Sequence, residues 1–453
     1  MQTKKRIEKH LGNAEKAYRE GKYDIAKAEL TLALRKIDEE VKSIKVGPQD
    51  KNLESLVNRF KTLSELRNQQ KRARVLFETV KREKERSKKF QAVVQGLHKR
   101  KIINSMDKNQ KIFEEFRDRE RTINKETKFF KVLRRWNSYT PLLCLNSTEN
   151  IGGGYFVALD GIGIVVDPGI NFIRNALSAG LSIKDIDVII LTHSHVDHTA
   201  DFEGIITLLH EVNDPRYDKN LDPFRIRLFA SMGAVNKYCN LMSLSYDTFK
   251  EISVMNPGEC YNLSKTLYFR TTPCQHNDLF CKHPSSCVGL KFYHTTEKKP
   301  IIAITSDTGC CPQLSEAFSD LKGNIVVLHI GGIDKNEVEF IPPPNVTLNK
   351  THLGLRGILN FIFDVKPSVV IISEFGEEFS EDRTRISELI QQKFAGLTKV
   401  IPSDVGFTIE FVKGKPRALV ACSKCGAKTP IEDISAKQER KGLNIAYLCP
   451  TCR

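Results

Sequence analysis

The run LTHSHVDHTADFEG, Leu191–Gly204, places three imidazoles and a carboxylate within six residues: His193, His195, Asp197 and His198. The apolar stretch that leads into it, IDVIILTH, reads as a buried strand, so His193 and His195 alternate along extended backbone and point to one side. Asp197 and His198 fall where the chain turns into the following helix. Four donors can therefore converge from one short segment. Neutral imidazoles suit Zn²⁺ and a carboxylate adds a hard, negative donor, which points to bound divalent metal. A lone histidine would be read as a surface or capping residue; this spacing, directly after an apolar strand, argues against that for the group.

On either side of the run, β-branched segments are bounded by Gly, Pro and Asp: GIGIVVDPG, KPIIAITSD, NIVVLHIGG and KPSVVIISE. Helical patterns such as ADFEGIITLLHEV and RGILNFIFDV lie between them, so the middle of the chain is α/β. These strands stop at Asp167, His193, Asp307, His329 and Glu374. Polar residues collect where apolar strands end, which is where α/β proteins commonly build sites.

The run and its surroundings resemble the metallo-β-lactamase fold superfamily, whose signature is His-x-His-x-Asp-His. IGGGYFVALDGIGIVVDPG resembles the family's opening strands, with Asp167 at the first acidic motif. TTPCQHND offers His276 for the third histidine motif, AITSDTG offers Asp307, and NKTHLGLRG offers His352. The resemblance covers about residues 137–412 and implies an αββα sandwich. It also implies a dinuclear centre, Zn²⁺ first and Mn²⁺ as the alternative. One metal would lie on His193, His195 and His276 and the other on Asp197, His198 and His352, with Asp307 bridging. Hydroxide bound between two cations is nucleophilic at neutral pH. Asp197 would also orient it or take part in proton transfer, and Asp167 would position a ligand from behind. Oxygen-reducing di-iron members typically carry glutamate where this chain has His195, so hydrolysis is favoured over redox chemistry. His283, beside Cys281 and Cys287, is an alternative third histidine, and these cysteines with Cys274 are an alternative metal site. His329, Lys350 and Glu374 are candidate substrate contacts, weighed against ordinary structural roles.

Two flanking regions differ in kind. Residues 1–136 carry 38 Lys+Arg against 20 Asp+Glu, leaving 32 against 35 for the rest of a chain whose net charge is +15. With one proline and apolar residues at helical spacing (Leu53, Leu56, Val57, Phe60, Leu63), this third is expected to be a basic helical domain. AEKAYREGKYDIAKAELTLALRKI resembles one tetratricopeptide unit, and Gly47-Pro48 marks a break before a longer helix whose heptad pattern is too short for a sustained coiled coil. At the other end, Cys422-x-x-Cys425-Gly and Cys449-x-x-Cys452 resemble a zinc ribbon over 418–453, with four thiolates closing one structural Zn site.

No stretch has the length and apolarity of a membrane span, and the N-terminus lacks the apolar core of a secretory signal, so a cytoplasmic protein is expected and the glycosylation pattern at Asn146 is incidental. The leading functional expectation is a phosphodiesterase or nuclease on RNA or DNA, gripped by the basic helices and the ribbon. A homo-oligomer through those helices is a further expectation. The alternatives are a hydrolase of a small ester, lactone, thioester or cyclic nucleotide, and a nucleic-acid-binding scaffold with a vestigial centre.

Overall fold

The computed structural model describes residues 2–44, 53–137, 153–215, 222–283, 286–339, 350–412, 418–439 and 444–453. Gly47-Pro48 and Asn146 lie outside them. The chain divides into two compact units, Met1–Glu115 and Phe116–Arg453.

In the first unit, α1 (Gln2–Arg19), α2 (Tyr23–Ser43) and α3 (Leu53–Gly96) share one core. Ile7, Leu11 and Ala14 meet Ala26, Leu30, Ala33 and Ile37, while α3 contributes Leu66, Ala73 and Val80. Those three are seven residues apart, so one edge of α3 faces the hairpin and the rest of its turns face outward. The charged run KREKERSKK continues the same helix. A helix α4 (Lys99–Asp118) follows, with no buried residue.

The second unit is built on two large sheets. The strands of the first are β1 (Phe129–Val132), β2 (Tyr155–Leu159), β3 (Ile162–Val166), β4 (Val188–Leu191), β5 (Ile226–Ser231) and β6 (Phe249–Met255). The second sheet comprises β7 (Cys260–Asn262), β8 (Leu267–Pro273), β9 (Val288–His294), β10 (Ile302–Ile304), β11 (Ile325–Gly331), β12 (Val369–Phe375) and β13 (Lys399–Pro402). The chain then returns to the first sheet as β14 (Thr408–Phe411), β15 (Ala418–Ala421) and β16 (Lys428–Pro430), and ends in the hairpin β17 (Ser435–Gln438) and β18 (Ile445–Leu448). The sheet orders are β16-β15-β14-β1-β2-β3-β4-β5-β6 and β13-β12-β11-β10-β9-β8-β7.

The near-continuous apolar strands follow from having a core on each face. In β4, Val188 and Ile190 enter the core between the sheets, whereas Ile189 and Leu191 pack with the outer helices, among them Phe202, Ile205 and Leu209. In β12, Val369 and Ile371 enter the central core, whereas Val370 and Ile372 meet Ile358, Phe361 and Ile362 on the opposite outer face. The layers are helix, sheet, sheet, helix, the expected αββα sandwich.

The boundary expected at residue 136 falls inside this unit. Phe129–Val132 is an inner strand that pairs antiparallel with β2 and β14, and its basic neighbours in the sequence conceal it. The C-terminal segment is also joined to the sandwich. β15 and β16 extend the first sheet, and Tyr447 enters the central core and donates to the Pro402 carbonyl at 3.0 Å.

Candidate metal centre

The cluster forms where neighbouring strands stop. Asp167 follows β3, His193 follows β4, His276 follows β8, Asp307 follows β10, and Glu374 lies near the end of β12. The His-x-His segment leaves β4 in extended form and enters α5 (Val196–Thr199), which carries Asp197 and His198. Gly169 permits this path, because a Cβ there would lie 1.6 Å from the Asp197 carbonyl oxygen. Asp278 fixes the turn by accepting from the Ser194 N–H at 2.8 Å and the Ser194 hydroxyl at 2.6 Å.

Asp307 sits at the centre. Its Oδ2 lies 3.9 Å from His193 Nε2, 3.5 Å from His198 Nε2, 3.9 Å from His276 Nε2 and 3.3 Å from His352 Nε2. His276 Nε2 is 3.2 Å from His195 Nδ1, and Asp197 Oδ2 is 3.2 Å from His198 Nε2. Ligand-type atoms thus form close groups: His193, His195 and His276; His276, Asp307 and His352; Asp197, His198, Asp307 and Glu374. His283 is exposed, and among the described residues no such group includes it or Cys274, Cys281 or Cys287.

Outer contacts orient the rings. Asp167 Oδ2 is 2.9 Å from His198 Nδ1, and its carboxylate also accepts from the Thr192 N–H and hydroxyl. His276 Nδ1 lies 2.7 Å from the Thr351 carbonyl. With a cation bound in the cluster, donation from each Nδ1 would leave the Nε2 lone pair turned toward it.

Four carboxylates, those of Asp167, Asp197, Asp307 and Glu374, are buried here beside one buried guanidinium, that of Arg134. Arg134 pairs with Glu374 and donates to the Asp197 carbonyl oxygen at 3.1 Å. Burial pushes His193 well below the usual histidine range, with neighbouring imidazoles adding to the effect, and burial also lowers His195 and His276. For His198, burial opposes protonation, but Glu374, Asp197 and Asp307 outweigh it and raise its pKa well above the ordinary value. Glu374 is held low against its burial by Arg134 and His329.

The donor set fits divalent cations. His193 Nε2, His198 Nε2 and Glu374 Oε2 are buried and lack a hydrogen-bond partner among the described residues, a costly state that a bound cation relieves. The excess of buried carboxylates calls for positive charge in the same place.

His329 and Glu374 are fully buried on the inner side, and Lys350 is exposed. His329 Nδ1 lies 3.1 Å from Asp307 Oδ1 and 2.8 Å from Glu374 Oε1, while its Nε2 faces the Tyr155 hydroxyl at 2.9 Å. The first two therefore meet the cluster from its buried side. Sequence reasoning misses Arg134, Tyr155, Thr192 and Asp278. Each has an ordinary local context, and only long-range register brings it to the centre.

The four cysteines make a second group, with one sulfur from each within 4.8 Å of the others. The Cys449 N–H donates to Cys422 Sγ at 3.4 Å and holds that thiol down to about 6. Gly426 has φ +74°, the left-handed turn that closes the first knuckle.

Residues 163–373 match the Beta-lactamase superfamily domain. The chain is 24% identical over 266 residues to an uncharacterized protein of Methanocaldococcus jannaschii, covering 58% of this chain and 88% of that one. It is 27% identical over 106 residues to a Ribonuclease Z of Methanopyrus kandleri, covering 23% of this chain and only 34% of that enzyme. Among solved structures, the metallo-beta-lactamase fold protein YhfI of Bacillus subtilis aligns at TM-score 0.46 and 12% identity, over 63% of this chain and 99% of that one. The His-x-His-x-Asp-His run at the strand ends of an αββα sandwich thus lies inside the segment, residues 163–373, that matches the beta-lactamase superfamily domain.

Proposed function

We propose that the protein is a metal-dependent phosphodiesterase acting on RNA or DNA. The observation that carries this reading is the donor cluster itself, buried and charge-unbalanced on one side and open to solvent on the other, where His195 and His352 form the rim and the His352 side chain keeps 24% of its surface exposed. His193, His195 and His276 would hold one cation and Asp197, His198 and His352 the other, with Asp307 between them. Such cations acidify water and stabilise negative charge growing on an attacked phosphoryl oxygen. Asp197, held in its charged form against its burial by His198 and Arg134, orients the attacking water and accepts its proton. Asp167 and Thr351 keep the His198 and His276 rings in the binding tautomer. The four cysteines would hold a structural Zn²⁺ with no open position.

A polyanionic substrate is supported by the charge of the helical third and by the partial similarity to Ribonuclease Z. Lys99, Arg100 and Lys101 add a basic patch at the start of α4. Exposed Phe90 and Val93 on α3 and Ile102, Ile103 and Met106 on α4 suit self-association of the same region. The near-neutral charge after residue 136 favours a second reading, hydrolysis of a small ester or cyclic nucleotide. The complete donor set speaks against a vestigial centre. No described helix is long and apolar enough to cross a membrane.

The test is cleavage of end-labelled single- and double-stranded RNA and DNA by protein loaded with Zn²⁺ or Mn²⁺, beside Asp197→Ala. Metal-dependent cleavage lost in the variant is the expected result. Metal-loaded wild type that spares all polymers but hydrolyses a small phosphodiester or ester would overturn the polymer assignment.

A further inference from the structure

We infer that Glu374 is an additional carboxylate ligand of the centre, donating Oε2 to the cation shared by Asp197 and His198. This rests on reading the histidine cluster as metal-binding. It adds a donor to the six residues and bridging aspartate of the superfamily motif.

The two oxygens of Glu374 are treated differently. Oε1 is saturated, paired with Arg134 and lying 2.8 Å from His329 Nδ1. Oε2 is fully buried, has no hydrogen-bond partner among the described residues, and lies 3.5 Å from His198 Nε2, itself a buried nitrogen in the same state. Two unmatched buried ligand atoms therefore face each other across a gap bordered by Asp197 and Asp307. A glutamate present only to neutralise Arg134 would not need its second oxygen sealed away from both water and donors. The backbone is also committed to this placement. Glu374 has φ +54°, a left-handed conformation uncommon for a residue with a side chain and found where a group must be aimed.

Arg134 makes the arrangement specific. It is fully buried, pairs with Glu374, donates to the Asp197 carbonyl oxygen, and lies 3.7 Å from Asp197 Oδ2. One guanidinium thereby lies within ion-pair distance of both carboxylates. His329 spans Asp307 and Glu374 in the same way. Arg134 and His329 are positioning residues: each holds one oxygen of a carboxylate and leaves the other free for metal.

The experiment is metal counting by elemental mass spectrometry together with Co²⁺ titration followed by visible absorption, on the full chain, for wild type, Glu374→Gln and Glu374→Asp. Circular dichroism and thermal melts report folding, and the cysteine-bound metal serves as internal reference. Wild type is expected to hold two equivalents beyond that reference. Glu374→Gln is expected to bind one of them at least about tenfold more weakly, the lower end of what lost support of a metal site costs. Glu374→Asp keeps a charge for Arg134 but withdraws the carboxylate by one methylene, so it should fold like wild type and still lose affinity. It decides the matter alone if the Gln variant does not fold. Wild-type stoichiometry and affinity in a folded variant would overturn the inference while leaving the metal centre intact. A wild type that binds only at the cysteines would instead overturn the reading beneath it.

Discussion

The histidine–carboxylate cluster and the cysteine cluster are both suited to metal, yet they are built in opposite ways. The cysteines come from two short knuckles and meet with all four sulfurs in one group, with backbone N–H donation to Cys422. The histidine cluster draws donors from the ends of strands in both sheets, leaves several of them unmatched inside, and reaches solvent at His195 and His352. The difference is that between a closed site, suited to stability, and an open one, suited to chemistry. The closed site depends on local spacing and the open one on the register of the whole sandwich.

Breaking the closed site should give the larger change in stability. Structural zinc sites in finger peptides are worth about 10–16 kcal/mol at neutral pH. Cys449→Ser is therefore expected to release one metal, melt the β17–β18 hairpin and lower the thermal midpoint sharply, as read by calorimetry and metal analysis. An unchanged midpoint would mean that Tyr447, with the bonds from Arg135 to Asn444 and from the Ile445 N–H to Asp404, anchors the segment without metal.

The next largest effect belongs to Arg134, the buried counter-ion of the open site. Arg134→Met leaves Glu374 and Asp197 without it, and removing one partner of a buried pair costs about 3–5 kcal/mol. Metal-free protein should show the full loss in denaturant unfolding. Metal-loaded protein should show less, because the cations supply the missing charge.

Asp167→Asn is a milder change at the same open site. It keeps the shape of the side chain but weakens its hold on His198, and such outer contacts typically account for about 10–100-fold in metal affinity. Competition with a chelator should show that weakening at the histidine cluster alone, with the cysteine metal unaffected. The smallest effect is electrostatic. Replacing Lys99, Arg100 and Lys101 with Gln should lower the slope of log affinity against log salt for single-stranded RNA by about 0.7 for each phosphate that is no longer neutralised. Filter binding across a salt series measures this, and an unchanged slope would remove that patch from the interface.

What can be read in the sequence follows the same division. The cysteine pairs and the His-x-His-x-Asp-His run are local patterns, and the long apolar strands announce a sandwich with cores on both faces. The first strand is not legible, because FFKV is four residues long and embedded in a basic stretch continuous with the helices. Arg134 is indistinguishable in sequence from the other cations of that stretch, and only β1 places it beneath Glu374. Glu374 itself is visible as a polar strand end, but its inward aim depends on a positive φ that no side-chain pattern reveals. Asp278 closes the motif TTPCQHND, yet its grip on Ser194 spans 84 residues.

Stepwise removal of metal from wild-type protein with a chelator, with hydrolysis and thermal stability recorded against metal content at each step, separates the two sites in one experiment. Activity is expected to disappear with the metals of the histidine cluster, while the large loss of stability accompanies release from the cysteines. Activity that persists after the histidine cluster is empty, or that follows only the cysteine-bound metal, would contradict this division of roles.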